Sequence, residues 1–243
     1  MTPEEHRIRV DLAALYRLVA LEGWDDLVGT HISARIPGPS HRFLLNPYGM
    51  LFEEITASSL LEIDLDGNQL TESEYRYNKA GFTIHSAVHM SREDAMFVVH
   101  LHTDHGVAVS CQQDGLLPIN QTAIAVYSNL AYHDYEGLAT NLAERERLVA
   151  DLGAHNAMIL RNHGTMACGP NAGGAWQAIY RLERACRYQI LAQAGGAALT
   201  SLSDGIIDSR ADATSTGALR PRGEFIWPAL LRRLDRIDPS YRD

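Results

Sequence analysis

The run Met96-Phe97-Val98-Val99-His100-Leu101 is the strongest constraint in this chain. A short apolar run rich in β-branched residues reads as a buried strand. It ends in His100-Leu101-His102. Side chains two apart on a strand share a face, so both imidazoles can reach one metal ion. Taken alone, the pair reads more simply as two partly exposed histidines at a strand end.

A third histidine changes that balance. His163 lies in Leu160-Arg161-Asn162-His163-Gly164, a turn directly after the apolar run Ala157 to Leu160. Thr165 to Cys168 reads as the hairpin partner of that run. A histidine before a glycine in a tight turn is presented from a rigid backbone. Three neutral imidazoles form an open, reactive metal site. The plain alternative for His163 is a turn residue bonded to its own backbone.

The chain has 11 histidines in 243 residues. His85 and His89 stand four apart on an expected helix, but residues 85–89 read HSAVH and lack the glutamate of a zinc-protease helix. They are expected to pack or to support ligands. His31 follows Gly29-Thr30 and His105 precedes Gly106, both at expected loop edges. Each is a candidate proton carrier or substrate-carboxylate contact, or else a solvated loop residue. His133 has a supporting or interface role, and His6, His41 and His155 are surface residues.

Composition removes several classes. The net charge is −9, which argues against a nucleic-acid or anionic-membrane partner. No apolar run reaches the ~20 residues of a membrane span, and no secretory signal is read at the N-terminus. Cys111, Cys168 and Cys186 are too scattered for a disulfide framework or a cysteine zinc site. Reduced thiols and a cytoplasmic location are expected.

Helices are expected at Glu4 to Leu21, 79–90, Leu142 to Leu152, the segment from Trp176 to Ile190, and Phe225 to Leu234. Strands are expected at 29–36, Phe43 to Leu45, Leu60 to Leu65 and 96–101, with further candidates at Leu116 to Ile119 and Ala123 to Val126. Residues 199–222 read as a mobile loop, and residues 223–243 as a tail with a helix. The interleaving argues for one mixed α/β domain over residues 1–243. No GxSxG, Walker loop or strand-following GxGxxG is present.

Read in order, N-K-A-G-F-T-I-H-S-A-V-H, V-V-H-L-H-T, G-L-L-P-I, A-Y-H-D-Y-E-G and L-R-N-H-G resemble the class II aldolase/adducin family, in its adducin-like bacterial form. The resemblance spans roughly Glu4 to Gly195. It implies a three-layer α/β/α sandwich around a mostly antiparallel sheet. It implies one divalent ion per subunit, Zn2+ first and Mn2+ or Fe2+ as alternatives, held by His100, His102 and His163. It also implies a cyclic homotetramer with active sites between subunits.

The departures narrow the chemistry. The catalytic glutamate of the sugar-phosphate aldolases is matched by Gly81, and the product-protonating tyrosine falls near Gln121-Thr122. The phosphate loops are matched by Gly29-Thr30-His31-Ile32 and Asn46-Pro47-Tyr48-Gly49. A phosphate dianion needs several donors, so the expected substrate is a nonphosphorylated organic acid. Thr30, Asn46 and Gly81 are assigned to substrate binding. His31, His105 and Tyr132 are assigned to catalysis.

Three functions remain open. One is a metal-dependent carbon–carbon lyase, a decarboxylase or retro-aldolase acting on a hydroxy, keto or dihydroxyaromatic acid. Another is an Fe(II) oxygenase cleaving an aromatic keto or hydroxy acid. The last is a nonenzymatic adducin-like scaffold, disfavoured because all three metal histidines are kept.

Overall fold

The structure, a computed structural model, describes all residues except 39–40, 138–141 and 216–222, and the side chains of 210–215 are likewise left aside. Its centre is a seven-stranded sheet. The strands are β1 (His31–Ile36), β2 (Arg42–Leu45), β3 (Leu61–Ile63), β4 (Phe97–Leu101), β5 (Leu130–His133), β6 (Ala157–Leu160) and β7 (Gly164–Gly169). They lie in the order β3-β2-β1-β4-β7-β6-β5. Every neighbouring pair is antiparallel except β5 and β6.

The helices are α1 (Pro3–Leu21), α2 (Lys79–Ser91), α3 (Asp104–Ser110), α4 (Gln121–Tyr127), α5 (Glu144–Leu152), α6 (Ala172–Gln193), α7 (Asp204–Ser215) and α8 (Trp227–Ile237). Strand alternation sorts the packing into two faces. Ile32, Ala34, Phe97, Val99, Leu101, Ile159 and Ala167 join the larger core with α1 and α6. Val98, Met158, Leu160, Met166 and Cys168 pack with Ile84, Ala87 and Val88 of α2 and Leu148 and Leu152 of α5. The result is the expected three-layer sandwich.

Helix starts follow from side-chain caps. Asn78 accepts from the Ala80 N–H, Thr103 from Gly106, Asn120 from Thr122 and Ala123, and Asn171 from Gly174. Each satisfies a donor that the first helical turn leaves free. The β6–β7 turn is equally local. Asn162 takes φ 57°, a left-handed conformation that asparagine tolerates. A Cβ on Gly164 would stand 2.5 Å from the Leu101 carbonyl oxygen, so only glycine lets β7 start so close to β4.

Three expectations are corrected. Residues 204–215 of the expected 199–222 loop form helix α7, which packs against α4, while 216–222 lie outside the described residues. Its low hydropathy hid it. Leu116 to Ile119 and Ala123 to Val126 are not strands: the first is irregular and the second lies in α4, started by the Asn120 cap. His105 is not in a loop but in the first turn of α3. Strand β5 and helix α3 are too short to stand out by periodicity.

One hydroxyl ties the first two layers together. The fully buried Tyr16 of α1 accepts from the N–H groups of Ile32, at 2.9 Å, and Asn46, at 3.2 Å. It bonds in turn to the Ile32 carbonyl and lies 2.9 Å from Asn46 Oδ1. Tyr16→Phe would strand buried backbone donors of β1 and the β2 end. The variant is expected to lose about 2 kcal/mol or more of stability, read from urea unfolding. A loss within error would remove Tyr16 from this role.

Candidate functional site

The register of β1, β4 and β7 assembles the site. His31 lies opposite His100 in the antiparallel β1–β4 pair. The β6–β7 turn carries His163 to the end of β4, where His102 follows the strand. His100, His102 and His163 each offer a ligand nitrogen, all within 4.8 Å of one another. Their ring centroids are 4.8 Å apart for His100–His102 and His100–His163, and 4.9 Å for His102–His163.

The groups behind these rings set their chemistry. His100 Nδ1 lies 3.1 Å from the Thr165 carbonyl oxygen, and His102 Nδ1 lies 2.9 Å from Asp26 Oδ2. Both partners only accept, so each Nδ1 carries the hydrogen. In the neutral rings both Nε2 atoms are then lone-pair donors. They stand 3.1 Å apart, with no hydrogen to share between them. Two converging lone pairs at that distance call for a cation, so the donor set fits a divalent ion. Imidazole donors suit zinc, iron and related metals.

Burial favours the neutral forms of His100 and His163. Desolvation, then neighbouring histidines, lowers the pKa of His100 well below the ordinary range. Desolvation, then His102 and His133, lowers that of His163 to about 4. Neutral imidazole is the form that binds metal.

His31 is drawn into the same group. Its ring lies 4.9 Å from that of His100, and it is 2% exposed. A Cβ on Gly81 would stand 2.7 Å from His31 Cδ2 and 3.1 Å from Nε2. The absence of a side chain at residue 81 is therefore the space that His31 fills. The buried Thr30 Oγ1, one residue before His31, has no hydrogen-bond partner among the described residues.

Other singled-out residues are placed elsewhere. His105 Nδ1 lies 2.8 Å from Glu183 Oε1, and Thr103 donates to the other oxygen of that carboxylate. This ties α3 to α6, and none of the ring contacts around the triad involves His105. The Tyr132 hydroxyl accepts from the Leu116 N–H at 3.0 Å, and its ring lies under the Arg161 guanidinium. The tyrosine beside the triad is Tyr135, 6.2 Å from His163 between ring centroids. Asn46 is buried and tied to Tyr16. His133 is buried between Asp151 and Glu144. His6 and His41 are exposed, and His155 is half-buried on the Leu152 carbonyl.

Asp26 lies in no motif that marks it in the sequence, and Tyr135 lies in the A-Y-H-D-Y-E-G segment, in which the tyrosine assigned to catalysis is Tyr132. Asp26 sits in a turn closed by the Gly29 N–H on its own carbonyl at 2.7 Å. Asp26→Asn replaces the carboxylate behind His102. It is expected to weaken divalent-metal affinity about 10- to 100-fold, measured by competition with a chelating dye. Unchanged affinity would remove Asp26 from the site.

The buried histidines also make the fold acid-sensitive. Desolvation first, then Arg35, lowers the His89 pKa to about 3, and desolvation lowers His85 in the same direction. The unfolded chain therefore takes up protons first as the pH falls. Stability is full above about 6.5 and is lost towards the folded values, by about 1.4 kcal/mol per pH unit for each such histidine. Urea midpoints should fall steadily from pH 7 to 4, and a flat profile would contradict the buried neutral state.

Comparison with known proteins agrees with this geometry. The profile of the Class II Aldolase and Adducin N-terminal domain matches residues 10–190. A Caulobacter vibrioides protein provisionally named an aldolase class 2 protein is 54% identical, over 98% of this chain and 93% of its own. Mouse alpha-adducin is 38% identical over 96% of this chain, which spans 34% of that longer protein. The crystal structure of an aldolase II superfamily protein from Pseudomonas syringae superposes with a TM-score of 0.92 at 45% identity, covering 100% of this chain and 98% of that one. The chain belongs to the class II aldolase and adducin family.

Proposed function

We propose that this protein is a divalent-metal-dependent carbon–carbon lyase, a decarboxylase or retro-aldolase acting on a nonphosphorylated hydroxy, keto or dihydroxyaromatic acid. The observation that carries it is His31 standing beside the imidazole triad in the space over Gly81. Such chemistry needs an electrophile for developing negative charge and one group that moves a proton. His100, His102 and His163 would hold the ion, which when bound supplies the Lewis acid. Zn2+ is the first assignment, with Mn2+ or Fe2+ as alternatives.

His31 moves the proton. In a retro-aldol cleavage, its Nε2 takes the hydroxyl proton as the carbon–carbon bond breaks, and returns it to the carbon that keeps the electron pair. In a decarboxylation of a hydroxy acid, Nε2 takes the substrate's hydroxyl proton, carbon dioxide leaves as the carbon–carbon bond breaks, and His31 returns that proton to the carbon that keeps the electron pair. Thr30 Oγ1 offers a hydrogen bond to the substrate. His105 and Tyr132 are not needed for this step. Their partners, Glu183 and the Leu116 N–H, support a positioning role instead.

A nonphosphorylated substrate is supported by what fills the loops matching the phosphate sites. Asp26 places a carboxylate against the Gly29 turn, 2.9 Å from where a Gly29 Cβ would stand. Negative charge there opposes a phosphate dianion. Asn46 is already engaged by Tyr16. The proposal includes a homotetramer with active sites between subunits. The exposed Phe225, Ile226 and Ile237 beside and within α8 support such association. No described helix is long and apolar enough to cross a membrane.

The test is anaerobic incubation of metal-analysed protein with hydroxy, keto and dihydroxyaromatic acids, following carbon dioxide or aldehyde release. Turnover should vanish with a chelator and return with metal. His31→Asn should lower kcat about 10²- to 10⁴-fold at unchanged metal content. Bound iron with oxygen uptake would replace the lyase by an oxygenase. Absence of bound metal, with His100→Ala and His163→Ala as stable as the parent, would leave a scaffold.

A further inference from the structure

A line of buried polar atoms runs from His31 away from the triad. His31 Nδ1 lies 2.8 Å from His85 Nε2. His85 Nδ1 meets Ser33 Oγ. Ser33 Oγ lies 2.7 Å from His89 Nε2. His89 Nδ1 lies 3.1 Å from the Ala95 carbonyl oxygen. All four side chains are at most 2% exposed, so no solvent competes for these bonds.

The folded pattern explains the alignment. His31 and Ser33 are two apart on β1 and share a face. His85 and His89 are four apart on α2 and lie one turn above the other. The two pairs mesh, with Ser33 between the rings of α2.

The last link gives the line a direction. Three of its links join groups that can donate or accept, but a carbonyl oxygen only accepts. His89 therefore carries its hydrogen on Nδ1. Burial holds His89 neutral, so its Nε2 accepts, and the donor is the Ser33 hydroxyl. Having spent its one hydrogen there, Ser33 Oγ accepts from His85 Nδ1–H. His85 is neutral for the same reason, so its Nε2 accepts from His31 Nδ1–H. No other assignment satisfies every link.

The geometry points to His85, Ser33 and His89 as positioning residues: a one-way hydrogen-bond chain, anchored on the Ala95 carbonyl, that holds His31 as its Nδ1–H tautomer with the lone pair on Nε2. Gly81 meets the face of this ring, where a Cβ would stand 2.7 Å from Cδ2 and 2.8 Å from Cγ, so glycine gives the ring its place while the chain behind Nδ1 sets its tautomer. The chain thus does for His31 what Thr165 and Asp26 do for His100 and His102. Without it the two tautomers of His31 would compete, and the one with hydrogen on Nε2 has no base to offer. The role of the chain in turnover rests on the proposed lyase step, but the tautomer itself is readable without activity.

The experiment is long-range proton–nitrogen correlation NMR of histidine-labelled, zinc-loaded protein at neutral pH. Single His→Asn variants at residues 31, 85 and 89 assign the signals. His31, His85 and His89 should each show a protonated Nδ1 and a bare Nε2. Ser33→Ala cuts the chain in its middle and should turn His31 into a mixture of tautomers. In an active enzyme it should lower kcat with KM and zinc content unchanged. His89→Gln, whose amide oxygen can still accept from Ser33, should keep the His31 tautomer. A proton on His31 Nε2 in the parent, or a folded Ser33→Ala with an unchanged His31 tautomer, would overturn the proposal. Should Ser33→Ala not fold, the parent and His89→Gln spectra decide by the same criterion. The three expected tautomers in a protein without metal-dependent turnover would uphold the chain and sink the lyase.

Discussion

The antiparallel pairing of β1 with β4, in the register that sets His31 opposite His100, is the contact on which the site depends. A slip by one residue would flip every side chain of a strand to the other face. His31 and Ser33 would then turn into the layer that holds α1 and α6, away from α2. The register is held from both sides. Ile32, Ala34 and Val99 need the larger core, and Tyr16 grips Ile32 through its hydroxyl. On the other side of β4, Gly164 lets β7 begin against the Leu101 carbonyl. The same pairing that closes the sheet therefore also brings the imidazoles together.

Burying so many imidazoles is costly for their charged forms, and desolvation leads the pKa lowering of His31, His85, His89 and His100. Their neutral forms still need partners, because an unpaired buried polar atom is destabilising. The fold meets this with acceptors placed behind the rings. The Thr165 carbonyl backs His100, Asp26 backs His102, and the Ala95 carbonyl backs His89. Each acceptor draws the hydrogen to Nδ1. The lone pairs of His100 and His102 consequently converge on one another. One simple device, an acceptor behind a ring, orients much of the centre.

Much of this was legible from local pattern. His100 and His102 followed from alternation at the end of an apolar strand, and His163 from a tight turn. The supporting role of His85 and His89 followed from helical spacing without the protease glutamate. Residues whose contacts lie far along the chain were harder. Asp26 sits 76 residues before His102, and nothing in its neighbourhood marks it. His31 and His105 looked alike as loop-edge histidines. The structure buries one beside the triad and ties the other to Glu183. Tyr132 and Tyr135 differ by three positions, and only Tyr135 lies against His163. Helix α7 is not marked in the sequence because its polar composition has no clear apolar stripe.

The sequence by itself determined the residue types, their order and the two periodicities that carry them. That was enough for a mixed α/β domain and a candidate three-histidine cluster, and the family resemblance added the sandwich and the loss of a side chain at residue 81. Only the tertiary structure decided what that loss is for. Periodicity says which face a side chain takes, whereas the space over Gly81 is shaped by a neighbouring strand. Nor does spacing say which ring nitrogen bears the hydrogen. That depends on the acceptor behind each ring, and those acceptors come from a loop, from β7 and from the turn before β4. Hydrogen-bond direction is a property of the assembled neighbours, so it emerges only when the layers meet.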